Sequence, residues 1–537
     1  TITTATATMA QSTQHAIKIT NVRTPSSVVA AGVVSDGTNG VSTQDAAAKS
    51  IDESVAVATD QIVKGAITVG KKFESLVDTP GYKATATVTF TTVGQVQALG
   101  KIVMTMPNLL DGTGVQSGWN FETPIITFTT SPGGTPTATS TTFAARVHTM
   151  TTGGLMQQEG AHVMTITNTR TPTSVTAATT ALQVTLQDNK SKDIDEATDF
   201  ATDQITNGAL TGTKTFTTAT DTPGITQLAT ASFTTRGQIA IGGKIEIVLP
   251  IVAATEGWRM ATASPVIAFT TVTNGATGTA TTGWVLGTRT LTITTGTGII
   301  EQDNAIVFTV AGTKSPSCVQ TASTGTTVEA ATRTLDSVDK VIDGPQNIIT
   351  ETFAAGVFVG LKKFETATDT PGIQSVGTVS FTTAGEILSG STIEFVFANY
   401  VGTLQAGWRF PGTPTIAFTA PGATVTGTTS FNTGDRKLTL TTGGGAANPI
   451  PMATATVFTI SATHSPSGIT GAGNVGVTSK DASGGITDGQ TNFLTDVMAV
   501  GALSGVLSFD SGTDTPGVTS TSTISFSTKG EVLAGGR

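Results

Sequence analysis

One tetrapeptide occurs four times in this chain: Asp78-Thr79-Pro80-Gly81, Asp221-Thr222-Pro223-Gly224, Asp369-Thr370-Pro371-Gly372 and Asp514-Thr515-Pro516-Gly517. The copies lie 143, 148 and 145 residues apart. A second marker keeps step with them: Thr24-Pro25-Ser26, Thr171-Pro172-Thr173, Ser315-Pro316-Ser317 and Ser465-Pro466-Ser467. The period is that of a domain, not of a solenoid turn. A unit of that size buries roughly two-thirds of the surface its unfolded chain exposes, enough for a core of its own. An array of near-copies suits a spacer, fibre or surface layer better than an enzyme, which needs one asymmetric site.

Within a repeat the pattern is that of strands. Residues 229–235 alternate strictly, with Ala229, Ala231 and Phe233 on one face and hydroxyls on the other. Gly237 then marks a turn. Further strands are predicted over 244–249, 265–271, 284–295 and 305–310, with 326–335 as the last. The other copies agree: Val88 and Phe90, Val379 and Phe381, and Ile524 and Phe526 take the first strand, followed by Gly94, Gly385 and Gly530. Trp119, Trp258 and Trp408 each follow a Gly before the third strand. Six to eight short strands per unit predict an antiparallel β-sandwich. Threonine, 114 of 537 residues, fits this reading. It is β-branched, and its hydroxyl keeps a solvent face wet without charge.

The segments between units differ. Residues 51–66 and 194–209 are acidic, with apolar residues at loosely helical spacing; a short linker helix is one reading of each, and Gly344-Pro345 in the equivalent stretch from Val338 argues against it. The next strand is expected at 213–216 and 361–364, and the tetrad itself should be a type II turn. The expected divisions are 1–50, the C-terminal part of an incomplete repeat; 51–194, 195–338 and 339–485, complete repeats; and 486–537, the N-terminal part of an incomplete repeat. Thr1 aligns with His148 and Arg537 with Lys101, so the sequence is expected to open in a late strand and stop after an early one. A piece of a longer array explains this, as does completion of open sandwiches by strands of neighbouring chains.

Charged residues make up only 12 % of the chain and the net charge is −9. Nucleic-acid binding wants basic stripes, and none is present. No run approaches the ~18 apolar residues of a spanning helix. Cys318 is the single cysteine, which excludes an internal disulfide, and reads as a small buried apolar residue.

No constellation of catalytic residues stands out, and no catalytic, cofactor-binding or metal-binding residue is assigned. His15 and His162 share a repeat position that Ile306 and Thr456 take elsewhere, as an ordinary strand position would. His464 stands where Arg23, Arg170 and Lys314 do, and a basic residue there is expected to pair with a junction acid. Gly443-Gly444-Gly445 opens no helix and reads as a hairpin turn, like Gly153-Gly154 and Gly296-Thr297-Gly298. The tetrad acids Asp78, Asp221, Asp369 and Asp514 are expected to bond backbone amides. The rival is a junction calcium drawing on Asp193, Asp195, Glu196, Asp199 and Asp203, on Asp336, Asp339 and Asp343, and on Asp481, Asp488 and Asp496. Their offsets drift between copies, and no calcium-loop motif appears. The tryptophans are expected as core or rim aromatics at a domain end, with sugar stacking as the alternative. Asn189-Lys190-Ser191 is the one N-glycosylation sequon, and Thr135-Pro136-Thr137 and Thr123-Pro124 are candidate O-glycan sites.

Taken along its whole length, the chain resembles tandem Ig-like β-sandwich repeat proteins of extracellular filaments, surface layers or adhesin stalks. The resemblance implies an all-β fold, a tandem array of antiparallel Ig-like β-sandwich domains of about 145 residues. It implies a threonine-rich, extracellular or cell-surface structural glycoprotein that associates with itself into a polymer, with O-linked glycans on Thr or Ser. An enzyme, a nucleic-acid partner and a membrane span are not expected. The alternative is the repetitive stalk of a cell-surface adhesin.

Overall fold

The computed structural model describes residues 2–4, 7–34, 41–54, 57–109, 117–133, 136–250, 257–272, 281–323, 330–398, 407–421, 425–443 and 449–537. Every regular element among them is a β-strand. The chain divides into two compact units, Thr1–Asn207 and Gly208–Arg537.

The first unit contains one complete sandwich. In one layer Lys83–Thr91 lies antiparallel between Lys72–Ser75 and Ala161–Arg170, with Ile126–Thr130 beyond. The other layer runs Ala138–Ala144, Val147–Thr152, Lys101–Thr105, Leu182–Gln187. The last strand, Asp193–Thr202, pairs antiparallel with Leu182–Gln187 and parallel with Lys72–Ser75, so it belongs to both layers. The alternation read from sequence decides which side faces in. In Lys83–Thr91, Ala86, Val88 and Phe90 are buried while the threonines face out. Thr127, Thr165 and Thr87 form one row across three strands. The core holds Phe73, Phe90, Met104, Met164, Val184 and Phe200, all essentially inaccessible. Each such side chain contributes about 1.5–3 kcal/mol of burial.

The second unit repeats this plan twice. Thr226–Thr234 lies between Thr211–Thr218 and Ala305–Lys314, facing a layer of Thr281–Val285, Thr290–Thr294, Lys244–Val248, Ala331–Leu335 and Val341–Asn347. Gln374–Thr382 likewise lies between Val359–Thr366 and Ala455–His464, and Ile486–Thr495 serves both layers of that sandwich. A hairpin, Ser504–Ser511 with Ser522–Ser527, follows.

Three expectations need correction. The acidic segment after residue 193 is the strand Asp193–Thr202 and not a helix, and Ser50–Ser54 is a strand too. Its apolar residues are those of a strand whose two ends serve different layers, which blurs period two. Residues 326–335 are not the last strand of their repeat: Ala331–Leu335 is followed by Val341–Asn347 and Ile349–Thr350. The late strand expected at the start is not formed: residues 2–4 and 7–28 carry no strand.

Candidate functional site: the joint between repeats

Each tetrad forms the expected turn, with proline setting φ and Gly81, Gly224, Gly372 and Gly517 at φ of +63°, +68°, +67° and +78°. The tetrad aspartates act differently from expectation. Their backbone carbonyls accept, Asp78 O from Thr206 N (2.8 Å), Asp221 O from Ala354 N (2.9 Å) and Asp369 O from Ala499 N (2.8 Å). Two of the carboxyls face a second acid. Burial, and then the neighbouring Asp203, raise the Asp78 pKa. Burial raises the Glu351 pKa, and contact with Asp221 adds to it. The second acid is itself anchored, accepting from Ser75 N at Asp203 and from Thr218 N at Glu351, both at 2.6 Å.

Within Gly208–Arg537 the tetrad turn is where one sandwich meets the next. Gly224 O accepts from Glu386 N at 2.9 Å. A Cβ on Gly224 would come within 2.8 Å of that nitrogen, and one on Gly385 would collide with Pro223 O. Both glycines are therefore required by close approach as well as by φ. The Glu386 carboxylate receives Arg259 Nη1 and Lys314 Nζ, each at 3.1 Å. Arg259 and Lys314 are cross-strand partners, so the sandwich presents both cations together. The following joint repeats the arrangement: Gly372 O accepts from Glu531 N at 2.9 Å, and Arg409 Nη2 donates to Glu531 Oε2 at 2.8 Å. His464 Nδ1 stands 3.8 Å from the same oxygen. The Arg409 hydrogen bond leads the effects that lower the Glu531 pKa, whereas burial and then Arg409 lower that of His464.

A second patch fastens the first of these joints. Val319 N donates to Ile486 O at 2.8 Å, Ser317 Oγ to Asp481 Oδ2 at 3.0 Å, and Thr487 Oγ1 to Ser317 O at 2.6 Å. Cys318 is buried here, packed so close that a Cβ on Gly485 would lie 2.7 Å from its sulfur. The Ser-Pro-Ser marker is thus a docking loop. In Thr1–Asn207 the same loop position makes the same contact, with Val28 N donating to Asp193 O at 3.1 Å. There Gln95 takes the place of Glu386, in a cleft of about 290 Å³ with Arg23, Gln97, Gln158 and Asp195. Arg170 is bonded to Glu122 of its own sandwich at 2.6 Å. That bond is foremost in lowering the Glu122 pKa.

The remaining acids have structural work. Asp45, Asp188, Asp336 and Asp481 each cap the tight turn that follows them, accepting two backbone amides at 2.9–3.0 Å. Asp195 accepts from Val93 N and Gly94 N, and Asp343 from Arg236 N and Gly237 N, at 2.9–3.1 Å. Asp488 holds Ser479 Oγ at 2.8 Å. Burial raises the pKa of all three, that of Asp488 to about 6. Glu196 is ion-paired to Lys64, Asp199 to Lys71 and Asp339 to Lys244. Among the described residues no group of three or more His, Cys, Asp or Glu could hold a metal ion. Trp119, Trp258 and Trp408 are core residues, packed edge-on against Phe73, Phe216 and Phe364, and offer no face to a sugar. Gly444 and Gly445, and Thr135 of the O-glycan candidates, lie outside the described residues. Asn189, Thr123 and Thr137 are exposed.

Sequence reasoning missed the acid and the arginine of the joint. The signal was present: Glu386 and Glu531 directly follow the repeat glycines Gly385 and Gly530, and Arg259 and Arg409 directly follow the repeat tryptophans. Glu386→Gln is expected to weaken its joint by about 1–3 kcal/mol, the scale of charge-assisted hydrogen bonds that are partly screened. Faster hydrogen exchange at 222–226 and 315–319 would report it, and 0.5 M salt should reproduce part of the effect in the native chain.

No family model matches the chain. No curated protein matches it. Among solved structures it is similar to the type II cohesin dyad of the ScaA scaffoldin of Acetivibrio cellulolyticus, at 12 % identity and a TM-score of 0.17, covering 54 % of this chain and 98 % of that one. It is also similar to the C-terminal domain of the Streptococcus pyogenes antigen I/II-family protein AspA, at 9 % identity and a TM-score of 0.20, covering 60 % and 99 %. At TM-scores this low the likenesses carry no weight for function, which has to come from the chain's own geometry. No helix among the described residues is long and apolar enough to cross a membrane.

Proposed function

We propose that this chain is a structural subunit of an extracellular fibre, appendage or surface layer, and that copies associate head to tail through the joint described above. The supporting observation is that the joint is built twice from equivalent positions, Glu386 with Arg259 and Lys314, and Glu531 with Arg409 and His464. An interface specified by repeat positions can be used again by any further copy, and a contact of this heterologous kind propagates instead of closing. The repeats are taken to run 65–207, 208–355 and 356–500, each opening at the recurrent glycine Gly65, Gly208 or Gly356. Exposed threonines such as Thr123 and Thr137 would carry O-linked glycans. The work is done by shape, with no reaction.

Negative-stain microscopy and sedimentation of the purified chain test this reading. Filaments that shorten or dissociate with Glu386→Gln and Glu531→Gln, and that survive a calcium chelator, are the expected result. A monodisperse elongated monomer at every concentration would instead favour the adhesin stalk.

A further inference from the structure

Each repeat begins and ends on neighbouring parallel strands, an arrangement with mechanical consequences. In the second repeat Gly208 lies beside Asp343, and Thr215 and Phe216 beside Ile349 and Thr350, all in parallel register. In the third, Gly356 lies beside Asp488, and Lys363 and Phe364 beside Leu494 and Thr495. In the first, Gly65 and Ala66 lie beside Asp195 and Glu196, and Lys72 and Phe73 beside Ala201 and Thr202. Backbone bonds join these pairs. Gly208 N donates to Ile342 O (2.8 Å) and Gly344 N to Gly208 O (2.9 Å); Gly356 N donates to Thr487 O (2.9 Å) and Gly489 N to Gly356 O (2.8 Å).

Tension on the chain pulls the leading strand at its start and the last strand at its end. For parallel neighbours these pulls are opposed along the strand axis, so the bonds between them are loaded together. Antiparallel neighbours pulled from the same end would unzip, breaking their bonds in succession. The pairing also has a lock. Asp195, Asp343 and Asp488, each inaccessible to solvent, reach from the last strand to the turn after the antiparallel neighbour of the leading strand. The facing glycine leaves room for the carboxylate: a Cβ on Gly65 would collide with Asp195 Oδ1, and one on Gly356 would lie 2.5 Å from Asp488 Oδ1.

We propose that the parallel pairing of leading and last strands, locked by Asp195, Asp343 or Asp488, is a shear clamp that makes each repeat a load-bearing element. The clamp gives a mechanical purpose to the fibre reading on which it rests. It is tested on single chains, where polymerisation plays no role, so either reading can fail without the other.

The test is single-molecule stretching of the full chain from its two ends. Three high-force events are expected, each releasing roughly 140 residues, or ~480 Å of contour at about 3.4 Å per residue. Gly489→Pro removes the amide that bonds Gly356 O, and a Cβ there meets nothing closer than 3.4 Å. The third repeat should then unfold under load roughly three- to tenfold faster, with the other two events unchanged. Leu440→Ala, in the core but outside the clamp, should lower thermal stability more than it lowers the force. A second geometry needs no core variant: one handle at exposed Thr433, the other at the carboxyl end. This bypasses the leading strand, and the third repeat should yield at clearly lower force. An unchanged force in that geometry, or an equal loss of force from Leu440→Ala and Gly489→Pro, overturns the clamp.

Discussion

Phe364→Ala is expected to lower the melting transition of the third sandwich sharply and leave those of its neighbours in place. Phe364 is inaccessible to solvent and packs edge-on against Phe397 and Trp408, both with centroids 5.1 Å away, and against Phe410 at 6.3 Å. Truncating a buried phenylalanine costs about 3–5 kcal/mol, through lost transfer energy and the cavity left behind. The aromatic contacts add roughly 0.5–1.5 kcal/mol each beyond burial. A domain of this size is stable by only about 7–20 kcal/mol. Calorimetry should therefore show one transition move well below the rest, carrying about one repeat's share of the enthalpy. Hydrogen exchange should place the change in 356–500. The same substitution at Phe216 or Phe73 should move a different transition. A single shared transition displaced as a whole would mean that the repeats are not independent, and the modular reading would fail.

Acidification is expected to act on the first and third repeats in opposite directions. His148 is fully buried beside the rings of Phe121 and Phe143 and opposite Met104. Leu291 and Leu438 take its place in the other repeats, opposite Ile247 and Phe395. Burial lowers the His148 pKa from 6.5 to about 4. The folded repeat thus binds the proton less readily than the unfolded chain. Its contribution to stability is intact above 6.5 and is lost as the pH falls through 4, a change of about 3 kcal/mol. His162, lowered by burial, works in the same sense, and Asp195, raised by burial, works against both. Asp488 in the third repeat is raised from 3.8 to about 6. Its contribution is fully present below 3.8 and is lost as the pH rises through 6, again about 3 kcal/mol. Scans at pH 7 and pH 4.5 should show the first repeat's transition falling while the third's holds or rises. His148→Leu should remove most of the acid loss. If His148→Leu melts like the native chain at pH 4.5, the histidine is not the cause.

The β-class and the inward faces are legible because alternation is local: Ala86, Val88 and Phe90 announce their side of the sheet without knowledge of any partner. The tetrad turn is legible for the same reason, since proline and glycine act on their own backbone. What is not legible depends on distant pairing. The strand Asp193–Thr202 reads as helical because its two ends bond to different layers, which spoils a simple period. The tetrad aspartates read as amide acceptors from the habits of turns, yet Asp78 and Asp221 face acids 125 and 130 residues further on, Asp203 and Glu351. Glu386 and Arg259, 127 residues apart, meet only because two sandwiches dock. Each sits one residue beyond a recurring marker, but nothing local says that the two markers touch.

The strand shared by both layers also decides how this protein can fail. Because Asp193–Thr202 and Ile486–Thr495 each bond to both sides of their sandwich, neither sheet can peel away and leave the other intact. A half-open repeat with naked ladder groups is the species that seeds aggregation. A threonine-rich surface with few lysines has little charge to keep such edges apart. Closure by a common strand supplies that protection through cooperativity: sticky intermediates stay rare because opening is all or none.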